Sequence, residues 1–183
     1  MSFFSTASEP QTVENELLPE GGYRLYVNSL KRVFKADGSG ANWFEAEFAV
    51  LPYAGTGDNP FEGRKAWHNF TFDNPNAMAV QIGRRQLADF LWACAGRDVV
   101  INDPLDIERG GIGKEIYAYI GTRVDKRDNK LRQDFKMFYG LKGGKRSDPK
   151  ASLPMPPESA MGSLPSPTAM GAKMGSNYDD VPF

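Results

Sequence analysis

Over residues 22–34 apolar and polar positions alternate, with Tyr23, Leu25 and Val27 on one side and Arg24, Tyr26 and Asn28 on the other. That period of two predicts a strand buried on one face. WFEAEFAVL repeats the pattern: Phe44, Ala46, Phe48 and Val50 point toward a core, and Trp43, Glu45, Glu47 and Ala49 point away. The segment PYAGTGDNPFEG, rich in Pro and Gly, reads as a long loop. A third strand follows in RKAWHNFTF, with Ala66, Phe70 and Phe72 inward and Trp67, Asn69 and Thr71 outward.

From Asn74 the period changes. Asn74 can accept from the orphan amides of a first turn, Pro75 suits the first helical position and Gly96 suits the exit, which predicts a helix over 75–95. Its apolar face is Met78, Ile82, Leu87, Leu91 and Cys94, opposite Arg84, Arg85 and Asp89. After a linker through Gly113, EIYAYIGTRV sets Ile116, Ala118 and Ile120 against Tyr117, Tyr119 and Arg123. LRQDFKMFYG sets Leu131, Phe135 and Met137 against Arg132, Asp134 and Lys136. Three strands, one helix and a closing hairpin predict an all-β domain with one helix, an OB-fold-like five-stranded Greek-key barrel of order β-β-β-α-β-β. An open α+β sheet with one covering helix has the same element order.

Charge divides the chain where the pattern does. The total balance is -1, but residues 1–22 carry four Glu and no Lys or Arg, residues 23–146 carry 20 basic against 15 acidic side chains, and residues 147–183 carry 2 against 4. The expected organisation is an acidic arm over 1–19, a nucleic-acid-binding domain over 20–146 and a tail over 147–183. In the tail 16 of 37 residues are Pro, Gly or Ser, too few apolar groups to offset the entropy of ordering, so it is expected to be disordered.

The single Cys94 cannot form an internal disulfide, and with the single His68 it leaves too few soft ligands for zinc. No cofactor is implied. No run approaches the length of a membrane span, and MSFFSTASEPQ lacks the basic and apolar regions of a signal peptide, so an intracellular protein is expected.

Catalytic chemistry is sparse. His68 lies on an aromatic-rich strand and reads as a hydrogen-bonded structural residue, Cys94 as an inert thiol on a buried helix face. Gly110, Gly111 and Gly113 lack the Gly-Lys-Ser/Thr ending of a phosphate loop and read as a connector. An enzyme is not expected.

Binding chemistry is richer. Over residues 121–146, Arg123, Lys126, Arg127, Lys130, Arg132, Lys136, Lys142, Lys145 and Arg146 face only Asp125, Asp128 and Asp134. Such a cluster is the footprint of a phosphate-tracking surface. Trp43, Trp67, Tyr117 and Tyr119 fall opposite the apolar set of their strands, where rings gain little from core burial. Unpaired bases stack on exposed rings while cations follow the backbone. The four rings, with Arg123, Lys126, Arg127, Arg132 and Lys136, are therefore the expected contacts to single-stranded DNA. RNA is equally open, because stacking is blind to the 2′-hydroxyl.

The ending YDDVPF resembles the acidic tip of bacterial single-stranded DNA-binding proteins, which close on several Asp and Ile-Pro-Phe after a Pro/Gly-rich linker; here Val181 replaces Ile and only Asp179 and Asp180 precede it. The resemblance implies that Asp179, Asp180, Val181, Pro182 and Phe183 recruit replication and repair enzymes. The stretches LPEGGYRLYV and FEGRKAWHNFTFDNPNAMAVQIGRRQLADFLWACAG and the closing hairpin resemble instead the phage family known as domain of unknown function 669, whose members share a Gly-Arg-Lys strand, an Asn-Pro-Asn helix start and an Arg-Gln-Leu within the helix. Members tend to be encoded among phage replication and recombination genes. Together the two resemblances imply a phage single-stranded DNA-binding protein in the cytoplasm of the infected bacterium, with a tip that docks enzymes. An adaptor for a recombinase or helicase without DNA contact, and a metal-dependent nuclease, are the alternatives. Homo-oligomerisation is open.

Overall fold

The computed structural model describes residues 17–34, 42–54, 58–126 and 128–157. Its elements are β1 (Gly21–Phe34), β2 (Asn42–Val50), β3 (Lys65–Asp73), α1 (Ala77–Ala95), α2 (Pro104–Gly111), β4 (Glu115–Asp125) and β5 (Lys130–Tyr139). The strands form one antiparallel sheet of order β3-β2-β1-β4-β5. The 14-residue β1 serves both halves: residues 21–26 pair with β4, and residues 25–34 pair with β2 after a bulge between Val27 and Ser29. A bulge bends its strand and increases the local twist, which curls the sheet.

Curling brings the two outer strands face to face. His68 of β3 lies 5.0 Å from the Phe135 ring and 5.9 Å from the Phe138 ring of β5, and Phe70 lies 5.8 Å from Phe138. Side chains thus close the seam between β3 and β5, giving the OB-like barrel. α1 lies across that seam, more on β3 than on β5. Phe90 is wholly buried and meets Phe48, Phe70 and Phe138 at ring separations of 5.9, 5.1 and 5.6 Å. Aromatic pairs of this kind contribute about 0.5–1.5 kcal/mol beyond the area they bury.

α1 can lie this close because residue 83 is Gly. A Cβ built there would sit 1.8 Å from the Thr71 carbonyl oxygen. That contact fixes the helix rotation, and the buried face is Gly83, Leu87, Phe90, Leu91 and Ala93. The periodicity placed Met78 and Ile82 on this face, but they are 68% and 53% exposed. The helix also starts two residues later than expected. The Asn74 side chain accepts from the Asn76 amide at 2.9 Å and makes a turn, and Asn76 then caps the helix by accepting from Met78 and Ala79.

The expected linker after α1 contains a second helix, α2. Asp103 caps it, Pro104 opens it, and the Asp106 carboxylate accepts in return from the Asp103 amide. Gly110 and Gly111, read from sequence as a connector, are its last residues, and a Cβ on Gly111 would meet Leu30 and Phe90. The element order is therefore β-β-β-α-α-β-β. In β5 a second bulge, opposite Tyr119 and Ile120, puts Phe135 and Phe138 inside and leaves Met137, expected inside, 41% exposed; Leu131, also expected inside, lies beyond the barrel end at 58%.

Both flanks are longer on the body than the composition implied. Leu18 is buried, and the Gln133 side chain clasps its backbone, accepting from its N–H at 2.8 Å and donating to its carbonyl at 3.1 Å. At the other end residues 147–157, expected in the tail, are laid against the fold. Gly144 donates to the Ala151 carbonyl at 2.6 Å, Lys145 and Asp148 exchange backbone bonds, and the Gly22 amide donates to the Met155 carbonyl. A Cβ on Gly22 would collide with that carbonyl, so the close approach needs glycine there. Residues 158–183, with the tip Asp179, Asp180, Val181, Pro182 and Phe183, lie outside the described residues.

Candidate nucleic-acid interface

Where β3 and β5 meet, the barrel wall opens into a cleft of about 640 Å³. β3 contributes Lys65, Trp67 and Asn69, α1 contributes Ile82 and Gln86, and the β4–β5 hairpin contributes Arg123, Leu131 and Arg132. The alternation of β3 decides this. His68 and Phe70 point inward to close the seam, so Lys65, Trp67 and Asn69 must point out.

Trp67 is 41% exposed. Its cross-strand partner is Glu47 of β2, which also takes a hydrogen bond from Asn28 at 3.2 Å and an ion pair from Lys65 at 3.3 Å. Burial pushes the Glu47 carboxyl up, but hydrogen bonds from Asn28, Lys65 and the Trp67 indole outweigh it and hold it below the usual carboxylate range. An ionised Glu47 accepting from the indole N–H orients the Trp67 ring while leaving its face open.

The hairpin cations are engaged to different degrees. The Arg132 guanidinium is tied to Asp125 at 2.9 Å and Asp128 at 2.6 Å, which stiffens the turn. Asn129, at φ 55°, completes that turn in the left-handed region that Asn tolerates. Arg123 is 4.0 Å from Asp134. Lys126 is exposed, and Arg127 lies outside the described residues.

The other expected contacts are elsewhere or covered. Tyr117 is on the outer face as its parity required, yet only 7% exposed, between Arg24 and Tyr139 in the register; a ring so covered is unavailable for stacking, which corrects its assignment. Tyr119 donates to Glu20 at 3.2 Å, and Lys136 pairs with the same carboxylate at 2.9 Å with its ammonium 5.9 Å from the Tyr119 ring. Hydrogen bonds from Lys136 and Tyr119 hold Glu20 below its usual range. These three form a separate cluster beside the start of β1. Trp43 stands across from Thr71 and Val33, half-buried, with its indole nitrogen sealed and no hydrogen-bond partner among the described residues. The structure thus brings Trp67, Arg123 and Arg132 to one cleft. It adds Lys65, Asn69 and Gln86, which the sequence reading passed over. Lys65 was accessible to it, being two residues before Trp67 on the same face; Gln86 was not, because its place depends on how α1 crosses the seam.

His68 borders the cleft, but its Nε2 is sealed and has no hydrogen-bond partner among the described residues. Burial, opposed by a hydrogen bond with Gln86 and aided by the Arg123 charge, drives its pKa down to about 4. The ring is neutral near pH 7, and its sealed nitrogen cannot reach a substrate. Burial pushes the Cys94 thiol up to about 12. Among the described residues no cluster of three His, Cys, Asp or Glu is placed to hold a metal ion, and no helix is long and apolar enough to cross a membrane.

A family model described as protein of unknown function (DUF669) matches residues 5–154. No curated protein matches the chain.

Proposed function

Because the chain belongs to the DUF669 family of proteins of unknown function, a description that assigns no activity, we propose a function from the interface itself: sequence-nonspecific binding of single-stranded DNA in phage replication or recombination, without catalysis. One observation carries it. On the third strand of an OB-like barrel an exposed tryptophan, oriented from behind by a carboxylate, shares a cleft with Lys65, Arg123 and Arg132. OB-folds take oligonucleotides over the outer face of their second and third strands, between the first and last hairpin loops. In this reading a base stacks on Trp67, the phosphates on either side meet Lys65 and Arg123, and Lys126 extends the contact at the hairpin tip. The motif Asp179, Asp180, Val181, Pro182 and Phe183 would recruit partner enzymes.

The second reading is an adaptor without DNA contact: the ion pairs of Arg132 with Asp125 and Asp128 leave the hairpin less net positive than its basic count suggests, which weakens the case for phosphate tracking. Anisotropy of labelled oligo(dT) at two salt concentrations decides between them. Strand binding weakens with a log–log slope of about -0.7 per phosphate neutralised. Trp67→Ala should lose about 1–3 kcal/mol of stacking, roughly 5- to 160-fold in Kd. Absence of binding at low salt overturns the proposal.

A further inference from the structure

A second cavity, about 400 Å³, opens beside the first, between α1 and β5. The two share Ile82 and Gln86 as lining residues and so adjoin along α1 and β5. Together they follow β5 from residue 131 to residue 138, about 23 Å at the rise of a strand, and α1 from residue 79 to residue 89, about 15 Å at the rise of a helix.

The second cavity differs in charge from the first. Among the described residues Arg85, Lys136, Lys145 and Arg146 line it with one carboxylate, that of Asp89. Two of these cations are committed to the fold. Arg146 is held by Asp98 at 2.7 Å and lies 3.9 Å from Asp89 of α1, and Lys136 is held by Glu20. The other two are loosely held. Arg85 is 4.0 Å from Asp89, and among the described residues the Lys145 ammonium donates to the Met137 sulfur at 3.6 Å, a weak acceptor that a phosphate oxygen readily displaces. Between them Ile82 and Met137, which the sequence pattern assigned to the core, lie 53% and 41% exposed. An apolar floor flanked by two available cations suits sugars and bases below and phosphates at the rim.

We propose that the single strand stacked on Trp67 continues over Ile82 and Gln86 into the groove between α1 and β5, where Arg85 and Lys145 hold its phosphates. This rests on the DNA-binding reading above. It gives α1, which covers the barrel seam, a second role as one wall of the strand's path. It also makes the occupied length of DNA greater than the β2–β3 face alone would cover.

The test compares three full-length proteins: wild type, Arg85→Gln/Lys145→Gln, and Arg97→Gln/Arg109→Gln as a control that removes the same charge from exposed positions lining neither cavity. Arg85, Arg97 and Arg109 are exposed and Lys145 is half-buried, and circular dichroism verifies the fold of each variant. The groove variant should flatten the salt slope for oligo(dT) by about 1.4, the share of two phosphates. It should also shorten the occluded site, while Trp67→Ala costs the same factor in either background. Two results overturn the path and leave the DNA-binding reading intact: wild-type slope and site length in the groove variant, or an equal flattening in the control. Failure of wild type to bind oligo(dT) overturns both.

Discussion

His68 is the sole histidine of the chain, which makes its environment testable in isolation. Its ring sits 4.6 Å from Phe70 and 5.0 Å from Phe135, across the seam that closes the barrel. In the unfolded chain it should take a proton near 6.5, but in the fold burial postpones this to about 4. Between those values the unfolded state binds more protons, so stability falls as pH falls, and the loss is complete below the folded value. From 6.5 to about 4, at about 1.4 kcal/mol per pH unit, the loss approaches roughly 3 kcal/mol. Urea unfolding at steps between pH 7 and pH 4, on wild type and His68→Leu, measures it. Carboxylates contribute to both proteins alike, so the histidine is the difference between the two curves. The wild type should lose stability more steeply below pH 6.5. Parallel curves would refute the claim that the ring is held neutral in the seam.

Gly83→Ala tests the closeness of α1 to β3. On an open helix alanine would add about 1 kcal/mol, but here the overpacking against Thr71 should cost about 1–3 kcal/mol and lower Tm; a raised Tm would show that the helix has room to spare. Cys94, partly buried on α1 with its thiol pushed up to about 12, should react with a thiol reagent at pH 8 far more slowly in the native protein than after unfolding. Rapid labelling of the folded protein would contradict that burial.

Strand alternation carried most of the fold, because a period of two survives wherever one face is buried. The five strands, the outward Trp67 and the inward Phe44, Phe48 and Phe70 were legible for that reason. Bulges were not. One extra residue near Lys136 reverses the parity for Met137, and nothing in LRQDFKMFYG announces it. α2 left a trace in Asp103, Pro104 and Asp106, but the glycines that end it look like a loop until Leu30 and Phe90 are seen against Gly111. At the site, outward parity identified rings on the correct face. It could not report that the neighbours of Tyr117 cover it, or that Glu20 occupies Lys136 and Tyr119. Those are long-range contacts, made by residues about 100 positions away in sequence or by adjacent strands. The groove between α1 and β5 was invisible for the same reason, since its walls meet only after the sheet curls.

The central claim is that an unpaired strand lies on Trp67 in the seam cleft. Photocrosslinking oligo(dT) that carries a single iododeoxyuridine, followed by mass spectrometry of the joined peptides, tests it most directly. The account predicts crosslinks to the β3 peptide at Trp67, abolished by Trp67→Ala. Crosslinks confined to other segments, or none under conditions where the oligonucleotide is bound, would contradict it.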